Sequence, residues 1–163
     1  MTPTPETRLP VYRATIEPHW IDYNKHLRDA YYTLVASYAL DEVMDVLGLD
    51  AAYRERTHCT LYTLEMHMHY LHEVKSTDDL RVISSILDFD RKRIHFGCRF
   101  VCSRVAEPVA TADMLLLHVH QGDTPSVASF PEEVSAKLET LRVSPAEREA
   151  FGPASRKIEL KRR

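Results

Sequence analysis

The stretch 27–47 carries an apolar stripe too wide for a helix lying on a surface. Leu27, Ala30, Tyr31, Leu34, Val35, Tyr38, Ala39, Val43, Val46 and Leu47 recur at helical spacing. A stripe that broad must be wrapped by other structure. Asp29 suits the positive end of the helix dipole, and Gly48 is a natural C-terminal stop. The chain around this helix reads as strands. Val11 to Ile16 precede it, and Pro18 marks an edge, a bulge or the end of that strand. A long strand covers residues 60–74. From Leu64 it alternates, with Leu64, Met66, Met68 and Tyr70 on one face and Glu65, His67 and His69 on the other. Leu80–Leu87, Ile94–Ser103 and Val109–Val119 are three more strands, with turns expected at residues 76–79, 88–92 and Glu107-Pro108. A short helix follows at about Pro131–Leu141, with a further turn near Pro145–Ala150.

The order predicts an α+β domain: one long central helix wrapped by an antiparallel sheet of about five strands. One sheet curled round one helix leaves an edge or face open, so self-association is expected. Residues 1–10 read as a flexible arm, 11–143 as the domain and 144–163 as a C-terminal extension. With 163 residues, 44% hydrophobic and 28% charged, the chain can build one substantial core. A formal net charge of −3 argues against a dedicated nucleic-acid binder. The basic residues are local instead, in Arg91-Lys92-Arg93 and Lys161-Arg162-Arg163. Cys59, Cys98 and Cys102 lack zinc-type spacing and read as reduced, mostly core-packed thiols. Met1 to Pro10 has no apolar signal segment, and no run is long enough to cross a membrane; a cytoplasmic protein is expected.

The chemistry concentrates just ahead of the helix. Asp22, Asn24 and His26 lie beside a helix N-terminus, where free N–H groups, expected from Leu27 to Asp29, can hold an oxyanion. Asp22 is either a carboxylate that activates water or attacks a carbonyl, or a turn and capping residue. Asn24 is equally readable as a cap, and His26 as a packed histidine. Trp20, Tyr31, Tyr32 and Tyr70 could surround a quaternary ammonium, or simply pack in the core. Glu65 is a second carboxylate candidate, with an ion pair as the alternative. Arg91, Lys92 and Arg93 could meet phosphates, or form a solvated surface run. The paired histidines at 67 and 69, and at 118 and 120, lack a third metal ligand, so no metal is expected.

Asp22-Tyr23-Asn24 with His26, followed by Ala30-Tyr31-Tyr32, resembles the signature of hotdog-fold acyl-CoA thioesterases of the 4-hydroxybenzoyl-CoA type. Thr63 to His67, Tyr70 to Val74, Asp88 to His95 and Met114 to Val119 extend the likeness over most of the chain. His26-Leu27-Arg28-Asp29-Ala30 and Tyr70-Leu71-His72-Glu73-Val74-Lys75 are most similar to the betainyl-CoA thioesterase group of carnitine breakdown. The resemblance implies a hotdog fold and a homodimer or homotetramer with sites at subunit interfaces. It also implies hydrolysis of a small acyl-CoA by Asp22 as general base or nucleophile, helped by Asn24 and His26, without a cofactor. A hotdog hydratase or dehydratase and a non-catalytic acyl-CoA-binding module are the alternatives. The family usually has Gly where Lys25 stands; a left-handed backbone there would strain a lysine.

Overall fold

The computed structural model describes residues 8–151. Its axis is α1 (Asp29–Leu47), which ends where Gly48 turns left-handed at φ 82°. Tyr32, Val35, Ala36, Ala39, Leu40, Val43, Met44 and Leu47 are buried along it. They meet one face of an antiparallel sheet built from β1 (Val11–Arg13), β2 (Cys59–Tyr70), β3 (Arg81–Phe89), β4 (Arg93–Cys102) and β5 (Val105–His120), in the order β1-β3-β4-β5-β2. A short β6 (Ser126–Val127) joins the end of β5. Alternation decides the faces. Ile94, Phe96, Cys98, Phe100 and Cys102 of β4 and Ala110, Ala112, Met114 and Leu116 of β5 are all buried. Tyr32 of α1 lies edge-on to Phe100, with ring centroids 5.6 Å apart. This is the hotdog arrangement. The three cysteines are free and buried, and burial pushes the Cys98 thiol up, which keeps it unreactive.

Several elements differ from expectation. β1 stops at Arg13, and Pro18–Trp20 forms a 3₁₀ turn, with proline at its start. An unexpected helix, α2 (Ala51–Thr57), follows α1; Asp50 caps it, accepting from the Tyr53 N–H at 2.8 Å. β2 ends at Tyr70 and not at residue 74. Its register shifts between Thr63 and Glu65, so Leu64 is the extra residue of a bulge and is half-exposed. The β4–β5 turn falls at Ser103-Arg104, because the Asp79 carboxylate accepts from both the N–H and the hydroxyl of Ser103. Pro108 lies inside β5, where the ladder pairs none of residues 106–109. After β6 come α3 (Glu132–Leu141) and α4 (Pro145–Phe151).

Of the expected arm, residues 1–7 lie outside the described residues, while Leu9 is buried in the core. Residues 152–163 of the expected extension, with Lys161-Arg162-Arg163, also lie outside. No described helix is long and apolar enough to cross a membrane.

Candidate active site

The segment before α1 is a tight, hydrogen-bonded turn. The Asp22 N–H donates to the His26 carbonyl at 2.9 Å, and the Lys25 N–H donates to the Asp22 carbonyl at 2.9 Å. Asp22 Oδ1 accepts from the N–H groups of Asn24 at 2.8 Å and His26 at 3.2 Å. The loop closes only because Lys25 adopts φ 64°, the left-handed conformation that glycine takes freely. Beyond it the chain is pinned on both sides. The Leu27 N–H donates to the Val74 carbonyl at 2.8 Å, and the Arg28 N–H to the Trp20 carbonyl at 2.9 Å. Two of the three expected oxyanion donors, Leu27 and Arg28, are therefore already committed to backbone. The Asp29 N–H, first in α1, makes no hydrogen bond among the described residues.

These contacts place α1 against the chain leaving β2. His26, Leu27, Asp29, Tyr32, Tyr70, Leu71, His72 and Glu73 line an open cleft of about 360 Å³. Tyr32 is buried and meets Tyr70 edge-on at 5.3 Å. Burial, reinforced by Tyr70, pushes the Tyr32 phenol up to about 12, so it stays neutral. The Tyr70 hydroxyl donates to the Asp29 carbonyl at 3.3 Å while half its surface remains exposed. Glu73 is held below the usual carboxylate range by its own backbone N–H, then by the charges of Arg104 and His26.

The sequence candidates separate. His26 lines the cleft; Asp22 and Asn24 belong to the turn that carries it, and the two backbone bonds to Asp22 leave Oδ2 uncommitted. Tyr32 and Tyr70 line the cleft. Trp20 and Tyr31 do not: they stack on each other at 5.0 Å and 13°, and Trp20 is buried. The four aromatics therefore form two pairs and not one cage within the chain. Glu65 points from the sheet face turned away from α1, where its Oε1 lies 2.6 Å from His67 Nε2.

Arg91, Lys92 and Arg93 form the β3–β4 hairpin, where Arg93 Nε and Nη2 donate to Asp90 at 2.8 and 2.6 Å. Arg93 pairs with Leu117 of β5, whereas Tyr70 pairs with Ala110. At ~3.3 Å per residue the hairpin and the cleft sit roughly 20 Å apart, at opposite ends of the sheet. His72 and Glu73 carried no site role from the sequence, and Asp29 only that of its backbone N–H. Their approach depends on the Leu27–Val74 hydrogen bond, a long-range contact that no local pattern reveals.

The description "thioesterase-like superfamily" belongs to the family model that matches residues 16–138. The chain belongs to this superfamily. It is 41% identical, over 82% of its length and 83% of the relative's, to a betainyl-CoA thioesterase of Pseudomonas aeruginosa. It is 35% identical to a part of an L-carnitine dehydrogenase/betainyl-CoA thioesterase of Rhizobium meliloti, covering 88% of this chain and 28% of that longer protein. Among solved structures, a candidate thioesterase of Pseudomonas putida KT2440 is 37% identical, with a TM-score of 0.76 and coverage of 94% and 98% of the two chains. A Staphylococcus aureus protein solved in complex with CoA is 26% identical, with a TM-score of 0.81 and coverage of 95% and 97%.

Proposed function

We propose that this thioester hydrolase cleaves betainyl-CoA to glycine betaine and free CoA. The observation that carries the reading is the 41% identity, over most of both chains, to a protein of that name. The cleft supports it. In this reading Asp22 Oδ2 takes a proton from water as the water oxygen adds to the thioester carbonyl. The Asp29 N–H, at the positive end of a 19-residue helix, holds the developing oxyanion. Collapse breaks the carbon–sulfur bond, and the proton held by Asp22 passes to the departing CoA thiolate, which restores the carboxylate. His26, on the cleft wall, orients the ester. Direct attack by Asp22, through an acyl-enzyme, uses the same groups.

Asp22 also holds its turn together, so the test must spare the fold. Asp22→Asn keeps an oxygen to accept the Asn24 and His26 N–H groups but removes the base. The expected outcome is a kcat for betainyl-CoA reduced by about 10²–10⁴-fold, with the melting temperature held. Thiol release at the wild-type rate from Asp22→Asn would remove Asp22 from the chemistry. Absence of thiol release from any acyl-CoA by the wild type would remove the hydrolysis itself.

A further inference from the structure

The cleft lining is one-sided in charge. It contains two carboxylates, Asp29 and Glu73, two histidines and two tyrosines, but no lysine or arginine. Asp29 Oδ1 caps the Ala30 N–H at 2.9 Å, and its Oδ2 makes no hydrogen bond among the described residues. The nearest cation to Glu73 is Arg104, whose Nη1 lies 3.9 Å from Oε1. Arg104 is committed elsewhere. Its Nε and Nη2 donate to Asp78 at 2.9 and 2.8 Å, and Nη2 also donates to the Glu73 carbonyl at 2.6 Å. Arg104, His26 and Lys75 lend Glu73 positive charge, but none of them donates a hydrogen bond to its carboxylate, which lines the same cleft as the half-exposed Tyr70.

We infer that Glu73, with Tyr70 and Asp29 lining the same cleft, selects a permanent positive charge on the acyl group. This rests on the function proposed above and names residues that select its substrate. A trimethylammonium group has no N–H to donate, so it cannot be recognised by hydrogen bonds. What can recognise it is an aromatic surface and an uncommitted anion. A neutral acyl chain of the same shape would gain nothing from Glu73, because specificity is a difference between two affinities.

The neutral twin of the betainyl group is tert-butylacetyl, in which carbon replaces nitrogen. The measurement is kcat/KM for betainyl-CoA and tert-butylacetyl-CoA, in the wild type and in Glu73→Gln. The wild type is expected to prefer betainyl-CoA, and that preference ratio is expected to fall about tenfold in Glu73→Gln. A ratio that survives the substitution overturns the role of Glu73 and leaves the substrate assignment standing. Equal loss on both esters makes Glu73 a structural residue and also overturns it. A wild type that handles the neutral ester as well as the charged one, or neither ester at all, removes the substrate assignment and this inference together. Glu73→Lys repeats the comparison with the charge reversed, and there the ratio is expected to fall further.

Discussion

At the scale of single residues, Lys25 is the clearest case of a sequence feature with a physical consequence. A non-glycine residue at φ 64° costs about 1–2 kcal/mol from crowding between Cβ and backbone. Lys25→Gly is expected to raise unfolding stability by about 0.5–1 kcal/mol, once the extra chain entropy of glycine is subtracted. A urea midpoint that moves up at constant slope checks this; a lower midpoint would mean that the lysine side chain makes a contact outweighing its strain. The position was legible because the family pattern flags it and stereochemistry says why. The roles of neighbouring residues were less so. Asp22 holds its turn through one oxygen, and the other is free for the catalytic role proposed above. Trp20 and Tyr31 stack on each other, which takes one face of each ring away from a ligand. No sequence pattern separates two aromatic pairs from one cage.

At the scale of elements, periodicity made α1 and β2 to β5 readable: α1, β3 and β4 bury a regular face, and β2, despite its bulge, turns Leu61, Met66 and Met68 toward the core. α2 escaped because seven residues with a single buried side chain, Tyr53, leave almost no periodic signal. Yet α2 is tied down by a specific buried bond. The Tyr53 hydroxyl lies 2.9 Å from His118 Nε2, and His118 Nδ1 lies 3.1 Å from the Ala128 carbonyl. That carbonyl can only accept, so Nδ1 carries the proton and the neutral ring accepts from Tyr53. Burial pushes the His118 pKa below the ordinary histidine value of 6.5. The unfolded chain therefore takes up a proton that the folded chain refuses. Stability is complete above about pH 6.5 and falls as pH drops below it, until the folded pKa is reached, by at most ~1.4 kcal/mol per pH unit. The carboxylates held low in this fold, such as Asp90 at about 2, act only at more acid pH. Unfolding measured between pH 5 and 7.5 should show this slope in the wild type and a flatter one in His118→Gln. Equal slopes would place the acid sensitivity elsewhere.

At the scale of the whole molecule, two facts pull against each other within one chain. The cleft that would hold the thioester lies at one end of the sheet, and Arg91-Lys92, the cations suited to CoA phosphates, lie at the other. The topology contains its own resolution. β2 is a strand of 12 residues at the sheet edge, pairing only with β5 among the described residues; an edge so long offers a template for another strand. If a second copy adds its β2 antiparallel, its Cys59 end comes beside this copy's Tyr70. Cys59 pairs with His120, at the same end of the sheet as Arg93, so the second copy's hairpin arrives at the cleft. Each site would then draw Asp22 from one copy and Arg91 and Lys92 from the other. Mixing tests this. Asp22→Asn alone is expected to be nearly inactive, and Arg91→Glu with Lys92→Glu to show a raised KM for the CoA ester. Dimers that pair one chain of each kind would contain one wholly wild-type site and one doubly damaged site. Unfolding and refolding the two variants together should therefore restore turnover with a wild-type KM, at up to half the wild-type rate per mixed dimer. If both sets of residues served the same chain's site, no mixture could rebuild a wild-type site, and the KM would stay high. Light scattering at the assay concentration must find a particle of at least twice the 18.8 kDa chain; a monomer with full activity would rule out any shared site.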